Sequence, residues 1–362
     1  GSGLFGQRYD AGGLQVGEAF LVNSSTSSNQ YQPTIASVAG GGFIVAWYSD
    51  TLQDGRYYDV YLQRFDNNGS PLGTETRANT SAGFTNSAQY EPAIAVLGDA
   101  SFVVSWRADG SQDGNDSGIF AQRFAANGAA LGSEFRINTH TPNNQLDPSI
   151  AALTGGGFVV SWTSYYQDNG GNLGVFAQRY ASDGTPVGSE FRVNTTTSGT
   201  QYHSTLASYT DGYAVVWSSE GYMPGSDSYD IYLTRFDNAG NIVGTPEMRV
   251  SVNPGTTDAQ FGSQYLPRIA ARAEGDLVIV WRDDNGNDGS GYGVFGRSFD
   301  AASGGFGEVF QVTTVTSGNQ YEPDVAMFAD GSFVVVWRDD NGLDGSGAGT
   351  FGRRFDAAGA PQ

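Results

Sequence analysis

"QYEPAIAVLGDASFVVSWRADGSQDGNDSGIFAQRFAANGAALGSEFRIN", residues 89–138, decides the fold. It contains four short runs of strand character, PAIAV, SFVVSW, GIFAQRF and EFRIN, which we call A to D. Gly, Asp and Asn fill the joints between them, as hairpin turns with φ > 0 demand. The unit then recurs. GVFAQRY stands at 174–180, DVYLQRF at 59–65, DIYLTRF at 230–236, GVFGRSF at 293–299, GTFGRRF at 349–355 and GLFGQRY at 3–9. Trp47, Trp106, Trp162, Trp217, Trp281 and Trp337 each end a B run, at spacings of 59, 56, 55, 64 and 56.

A four-stranded antiparallel unit recurring at this period is the mark of a propeller blade. The expected fold is therefore an all-β propeller in one domain. Its repeats run over 30–79, 89–138, 145–194, 201–253, 264–312 and 320–359, with 1–23 completing the last blade. Six blades is the reading; seven would need a further A–B pair and a Trp. The Trp set belongs to the core between blades. Arg8, Arg64, Arg123, Arg179, Arg235 and Arg354 on C, with Glu18, Glu75, Glu134, Glu190, Glu247 and Glu308 on D, are placed for cross-strand pairs within each hairpin. Gln30, Gln89, Gln145, Gln201, Gln264 and Gln320 open the A runs, in motifs such as QYQP, QYEP, QLDP and QYLP. They are expected to hold the preceding loop.

Composition narrows the function. Among 362 residues 38 are acidic and 18 basic, for a net charge of −20, and every basic residue is Arg. A nucleic-acid partner needs a basic footprint, which is lacking. The absence of Cys removes disulfides, thiolate metal sites and a Cys nucleophile. No apolar run is long enough for a membrane helix, so no membrane insertion is expected. The opening GSGLFGQRYD carries no signal peptide and points to a domain cut or processed from a longer product, monomeric or part of a larger chain.

In an antiparallel A–B–C–D blade the B–C loops and D–A links share one face, so binding is expected there. Two B–C loops, DDNGNDGSG at 283–291 and DDNGLDGSG at 339–347, are rich in oxygen donors that suit Ca²⁺. Asp283, Asp284, Asn285 and Asp288 form one candidate set, and Asp339, Asp340, Asn341 and Asp344 the other. Turn-making by Asp-Gly and Asn-Gly is the competing explanation. The fourth repeat departs from the others, with QYHS in place of QYEP and a B–C loop reading SSEGYMPGSDSYD. His203, Glu220, Tyr222, Met223 and Phe261 make a candidate ligand sub-site on the loop face. No His cluster, P-loop or nucleophile elbow is present, so no catalytic residue is assigned.

The FVVxW…QDG…GVFAQRF…EF.VN pattern resembles the tandem repeats of very large secreted bacterial proteins, the hemolysin-type (RTX) calcium-binding proteins and adhesins. That resemblance implies an extracellular or cell-surface location and calcium-supported folding. The expectation it supports is a non-enzymatic adhesion module that binds a glycan or protein surface. A carbohydrate-active enzyme, glycosidase or lyase, on a propeller scaffold is the alternative, and a passive spacer a third reading.

Overall fold

The computed structural model describes residues 1–50, 58–80, 87–168, 173–220, 228–251, 262–284, 288–342, 345 and 347–362. The fold is an all-β six-bladed propeller, and its blade strands run antiparallel to their neighbours, with one isolated parallel bridge, between Leu173 and Thr200, among the described residues. An N-terminal pair, β1 (Phe5–Tyr9) and β2 (Gln15–Leu21), precedes blade 1, which is β3 (Gln30–Ser37), β4 (Phe43–Ser49), β5 (Asp59–Phe65) and β6 (Thr76–Arg77). Blade 2 is β7 (Gln89–Val96), β8 (Phe102–Ala108), β9 (Gly118–Phe124) and β10 (Ala130–Arg136). Blade 3 is β11 (Gln145–Ala152), β12 (Phe158–Tyr165), β13 (Leu173–Tyr180) and β14 (Pro186–Arg192). Blade 4 follows as β15 (Gln201–Tyr209), β16 (Gly212–Glu220), β17 (Tyr229–Asp237) and β18 (Met248–Arg249). Blade 5 is β19 (Gln264–Ala271), β20 (Leu277–Asp283), β21 (Gly293–Asp300) and β22 (Gly305–Gln311), and blade 6 is β23 (Gln320–Met327), β24 (Phe333–Asp339) and β25 (Gly349–Phe355). The strand expected to complete the last blade, β2, pairs with β1 in a two-stranded sheet, and blade 6 is three-stranded as described.

The chain packs as two compact units, residues 1–167 with 177–191, and residues 168–176 with 192–362. In the first, β3 lies against β7 and β7 against β11; in the second, β15 lies against β19 and β19 against β23. The A strands are thus the inner strands, one blade's edge meeting the next.

Repetition of the sequence becomes repetition of the packing. All six Trp side chains are buried, as a core role requires. Beside them a B-strand ring stacks on a C-strand ring in five blades: Phe43 on Phe65, Phe102 on Phe124, Phe158 on Tyr180, Tyr213 on Phe236 and Phe333 on Phe355, with centroids 4.9–5.1 Å apart. The Gln side chains hold the loops before them. Gln30 donates to the Ser28 carbonyl, Gln145 to that of Pro142, Gln201 to that of Ser198 and Gln320 to that of Ser317. Gln30 also accepts the Trp47 indole N–H at 2.8 Å, which ties strand A to strand B.

The recurring Arg and Glu behave differently from the expected pairs within a hairpin. Arg8, Arg64 and Arg123 reach forward to the Asn67, Asn127 and Asp183 carbonyls, each in the C–D turn of the next blade. Glu75, Glu134, Glu190 and Glu247 reach back to the backbone amides of Ser24, Thr80, Thr139 and Thr195. A C–D hairpin lies on the outer edge, where the nearest unsatisfied donors and acceptors belong to neighbouring blades. The two side chains therefore lock blade to blade, outside any catalytic role.

Candidate functional site

The entrance to each inner strand carries the same irregularity. The A–B register slips between Tyr31 and Thr34, Tyr90 and Ala93, Leu146 and Ser149, Tyr202 and Thr205, Tyr265 and Arg268, and Tyr321 and Asp324. At each slip one non-glycine residue has positive φ: Gln32 (44°), Glu91 (54°), Asp147 (53°), His203 (53°), Leu266 (51°) and Glu322 (54°). These are the third residues of the QYxP-like motifs. A left-handed conformation costs about 1–3 kcal/mol at such a residue and persists only where the surroundings impose it. A bulge also re-aims its side chain. Pro92 and Pro148, which follow Glu91 and Asp147, fix the chain beyond the bend.

In the first unit this device brings two carboxylates together. Glu91 Oε2 accepts the backbone N–H of Asp147 at 3.0 Å, and Glu91 Oε1 lies 3.3 Å from Arg107 Nη1. Arg107 also grips Asp109, with Nε–Oδ1 at 2.8 Å and Nη2–Oδ2 at 3.1 Å, and lies over the Tyr90 ring. Thr163 donates to Asp147 Oδ2 at 3.4 Å. Burial pushes the Glu91 carboxyl up, Asp147 pushes it further, and the Arg107 charge and the Asp147 amide only partly oppose them. Burial also works against the Arg107 charge, but Glu91 and Asp109 together hold the guanidinium more firmly protonated than usual. Beside the pair lies an aromatic group: Tyr90 packs on Tyr48 and Tyr58, with centroids 5.4 and 5.0 Å away, and Tyr31 stacks on Tyr48 at 5.1 Å. A carboxyl raised by burial and by a second carboxylate thus lies next to a group of half-buried tyrosines.

A wider cleft of about 740 Å³ lies on the outer side of blades 2 and 3, lined by Arg136, His140, Gln167, Tyr180 and Glu190 among others. Two of its functional groups are committed to the blade contacts, since Glu190 accepts from Thr139 and Gln167 and Tyr180 donates to the Ile137 carbonyl, while His140 Nε2 is buried without a hydrogen-bond partner. That leaves the inner-strand pair as the better chemical candidate.

The residues expected from sequence are placed as follows. His203 occupies the bulge of blade 4, its ring 4.3 Å from that of Tyr202. Glu220 ends β16, with its amide bonded to the Thr200 carbonyl. Tyr222, Met223 and Phe261 lie outside the described residues. Asp283 is buried and accepts Gln264 Nε2 at 3.0 Å. Asp284 is gripped by Arg282 at 2.7 and 3.2 Å, and burial pushes its carboxyl up. Asp288 accepts the Ser290 amide, and burial raises its carboxyl as well. Asp339 accepts the Asn341 amide, while Asp340 accepts from the Asn319 amide and side chain and is lowered by them. Asn285 and Asp344 lie outside the described residues. Among the described residues no three His, Asp or Glu side chains gather as a metal-binding group.

No protein-family model matches the chain, and no curated protein matches it in sequence. Solved structures do match it in fold. The α-L-arabinanase of Penicillium chrysogenum, complexed with arabinobiose, is 14% identical over 93% of this chain and 96% of its own, at a TM-score of 0.57. The GH93 α-L-arabinofuranosidase of Fusarium graminearum, also with arabinobiose, is 12% identical over 91% and 96%, at 0.55. The Trypanosoma rangeli sialidase, with the inhibitor DANA, is 11% identical over 97% of this chain and 57% of its own, at 0.51. These likenesses overturn the resemblance to hemolysin-type and adhesin repeats, since the architecture is shared with glycoside hydrolase propellers. The non-enzymatic adhesion reading is corrected with it, and the carbohydrate-active alternative is the one these folds favour.

Proposed function

We propose that the protein is a glycoside-cleaving enzyme, with Glu91 as general acid and Asp147 as the second carboxylate. The observation that carries the proposal is the Glu91–Asp147 pair, held at strained backbone on two adjacent inner strands. Glycoside cleavage needs one carboxyl that is still protonated and one that is ionised. Glu91, pushed up by burial and by Asp147, suits the first role. Its proton passes to the glycosidic oxygen as the bond to the anomeric carbon breaks. The Asp147 carboxylate stabilises the positive charge that develops on the sugar ring, and a water molecule then adds to the anomeric carbon and gives up a proton that restores the Glu91 acid. Arg107 orients Glu91 through Oε1, and the Tyr31, Tyr48, Tyr58 and Tyr90 group offers flat apolar faces to a sugar.

The substrate class is a neutral oligosaccharide, with arabinose-containing chains the first choice, because two of the similar folds hold arabinobiose. A protein of net charge −20 repels polyanionic glycans, which supports the same choice. An extracellular setting is part of the proposal and accords with a Cys-free, acidic chain. The test is release of reducing ends from linear arabino-oligosaccharides. Glu91→Gln and Asp147→Asn should each lower the rate by about 10²–10⁴-fold, the usual worth of general acid–base catalysis. Unchanged rates in both variants would refute the assignment.

A further inference from the structure

Blades 2 and 3 share a buried junction that blade 5 builds from different atoms. In blade 2 the side-chain amide of Asn138 donates to Asp113 Oδ2 at 3.2 Å, to the His140 carbonyl at 2.8 Å and to Gln145 Oε1 at 3.0 Å. In blade 3 Asn194 does the same toward Asp168 Oδ2 (3.3 Å), the Thr196 carbonyl (2.7 Å) and Gln201 Oε1 (3.3 Å). One amide nitrogen thus sits among three oxygens that all need a positive partner.

In blade 5 the residue at this place is Thr313. The Val312 amide bonds the Val294 carbonyl just as Ile137 bonds Ile119 and Val193 bonds Val175. Gln320 follows at the same interval as Gln145 and Gln201. Asp288 lies against Gly293 as Asp113 lies against Gly118 and Asp168 against Gly174. The oxygens are kept and the nitrogen is gone. Asp288 Oδ2, Thr313 Oγ1 and Gln320 Oε1 are all buried without a hydrogen-bond partner, in residues only 8%, 3% and 0% exposed. A cavity of about 260 Å³ opens beside them, lined by Thr313, Val315, Trp337, Asp339 and Arg353. Gln320 faces Asp339 across the β23–β24 ladder. Arg353 does not supply the missing charge to these oxygens: it donates to the Val312 carbonyl and lies over the Phe355 ring.

We propose that this junction binds a hard cation of the Ca²⁺ class through Asp288 Oδ2, Thr313 Oγ1 and Gln320 Oε1. The Val315 carbonyl, counterpart of the His140 and Thr196 carbonyls, is a fourth donor, and Asp339 places a second carboxylate at the cavity edge. Carboxylate, amide, hydroxyl and carbonyl oxygens are the donors that such ions take. The site differs from either acidic loop read from sequence, because it takes one Asp from each loop and completes the set from strand ends. With few carboxylates its affinity belongs to the weak class, on the order of 10⁻⁴–10⁻³ M.

Thr313→Asn is the informative variant, since it restores the amide that blades 2 and 3 use. The whole protein, stripped with a chelator, is titrated with CaCl₂ by calorimetry and followed by thermal unfolding. One saturable site and a rise of several degrees in midpoint are expected for the parent. The variant should lose both responses while its metal-free midpoint equals or exceeds the parent's. Asp288→Asn should lose the response as well. A calcium response that survives unchanged in Thr313→Asn would place the ion elsewhere and overturn the proposal. So would a parent that shows no saturable binding at millimolar calcium.

Discussion

Asn138→Ala should be among the most destabilising single changes in the first unit, although it removes only a small polar side chain. Asn138 is 1% exposed and accepts the Ile119 amide at 2.7 Å, besides its three donations to Asp113, His140 and Gln145. Ala satisfies none of these groups. Ile119 and Gln145 are both 0% exposed, so water cannot replace the lost partner, whereas Asp113, at 7%, recovers part of its solvation. Leaving a buried polar group unsatisfied costs about 1–3 kcal/mol. Two such groups and a partly recovered carboxylate give about 3–5 kcal/mol, at the upper end for single substitutions. Urea unfolding followed by tryptophan fluorescence reads this directly, because Trp106 and Trp162 lie in the adjoining blades. A loss below about 1 kcal/mol at an unchanged m-value would refute the reasoning.

Other consequences follow from the same contacts. Asn138→Thr copies the composition of blade 5 and should be rescued in part by calcium, in the same thermal assay that serves Thr313→Asn. Glu91→Gln should raise the unfolding midpoint at neutral pH while it removes activity. The folded-state pKa of Glu91 lies above its unfolded value, so its charge is a cost that is fully present above the raised pKa and relieved as pH falls through it. A purely structural Glu91 would give a lower midpoint instead. Arg107→Gln removes a charge that holds the Glu91 carboxyl down, so the alkaline limb of the pH–rate profile should move to higher pH. Gly174→Ala places a Cβ 2.6 Å from Asp168 Oδ2 and should cost about 1–3 kcal/mol in chemical denaturation.

The blades were legible in the sequence because each repeats a complete set of local instructions: turn residues, two apolar strands and a Trp. The Gln side chains were legible for the same reason, as fixed letters of a fixed motif. The Glu91–Asp147 pair was hidden in the third letter of the QYxP-like motif, which changes from blade to blade more than the letters around it. That variation was the available signal, and positive φ supplied its meaning. The Arg and Glu partners were misassigned because strand adjacency within a hairpin is visible in sequence, whereas contact with the next blade's turn depends on how blades stack. The acidic loops drew attention by composition, yet Arg282 and the Asn319 side chain take up Asp284 and Asp340. The three unmatched oxygens of blade 5 appear only when Thr313 is compared with Asn138 and Asn194 in three dimensions.

The central claim, that Glu91 delivers a proton to the leaving oxygen, is tested most directly by varying the leaving group. Rates are measured for the parent and Glu91→Gln on an arabino-oligosaccharide and on a dinitrophenyl arabinofuranoside, whose leaving group needs no proton. The account predicts a loss of about 10²–10⁴-fold on the oligosaccharide and a rate close to the parent's on the dinitrophenyl substrate. An equal loss on both substrates, or no loss on either, would contradict it.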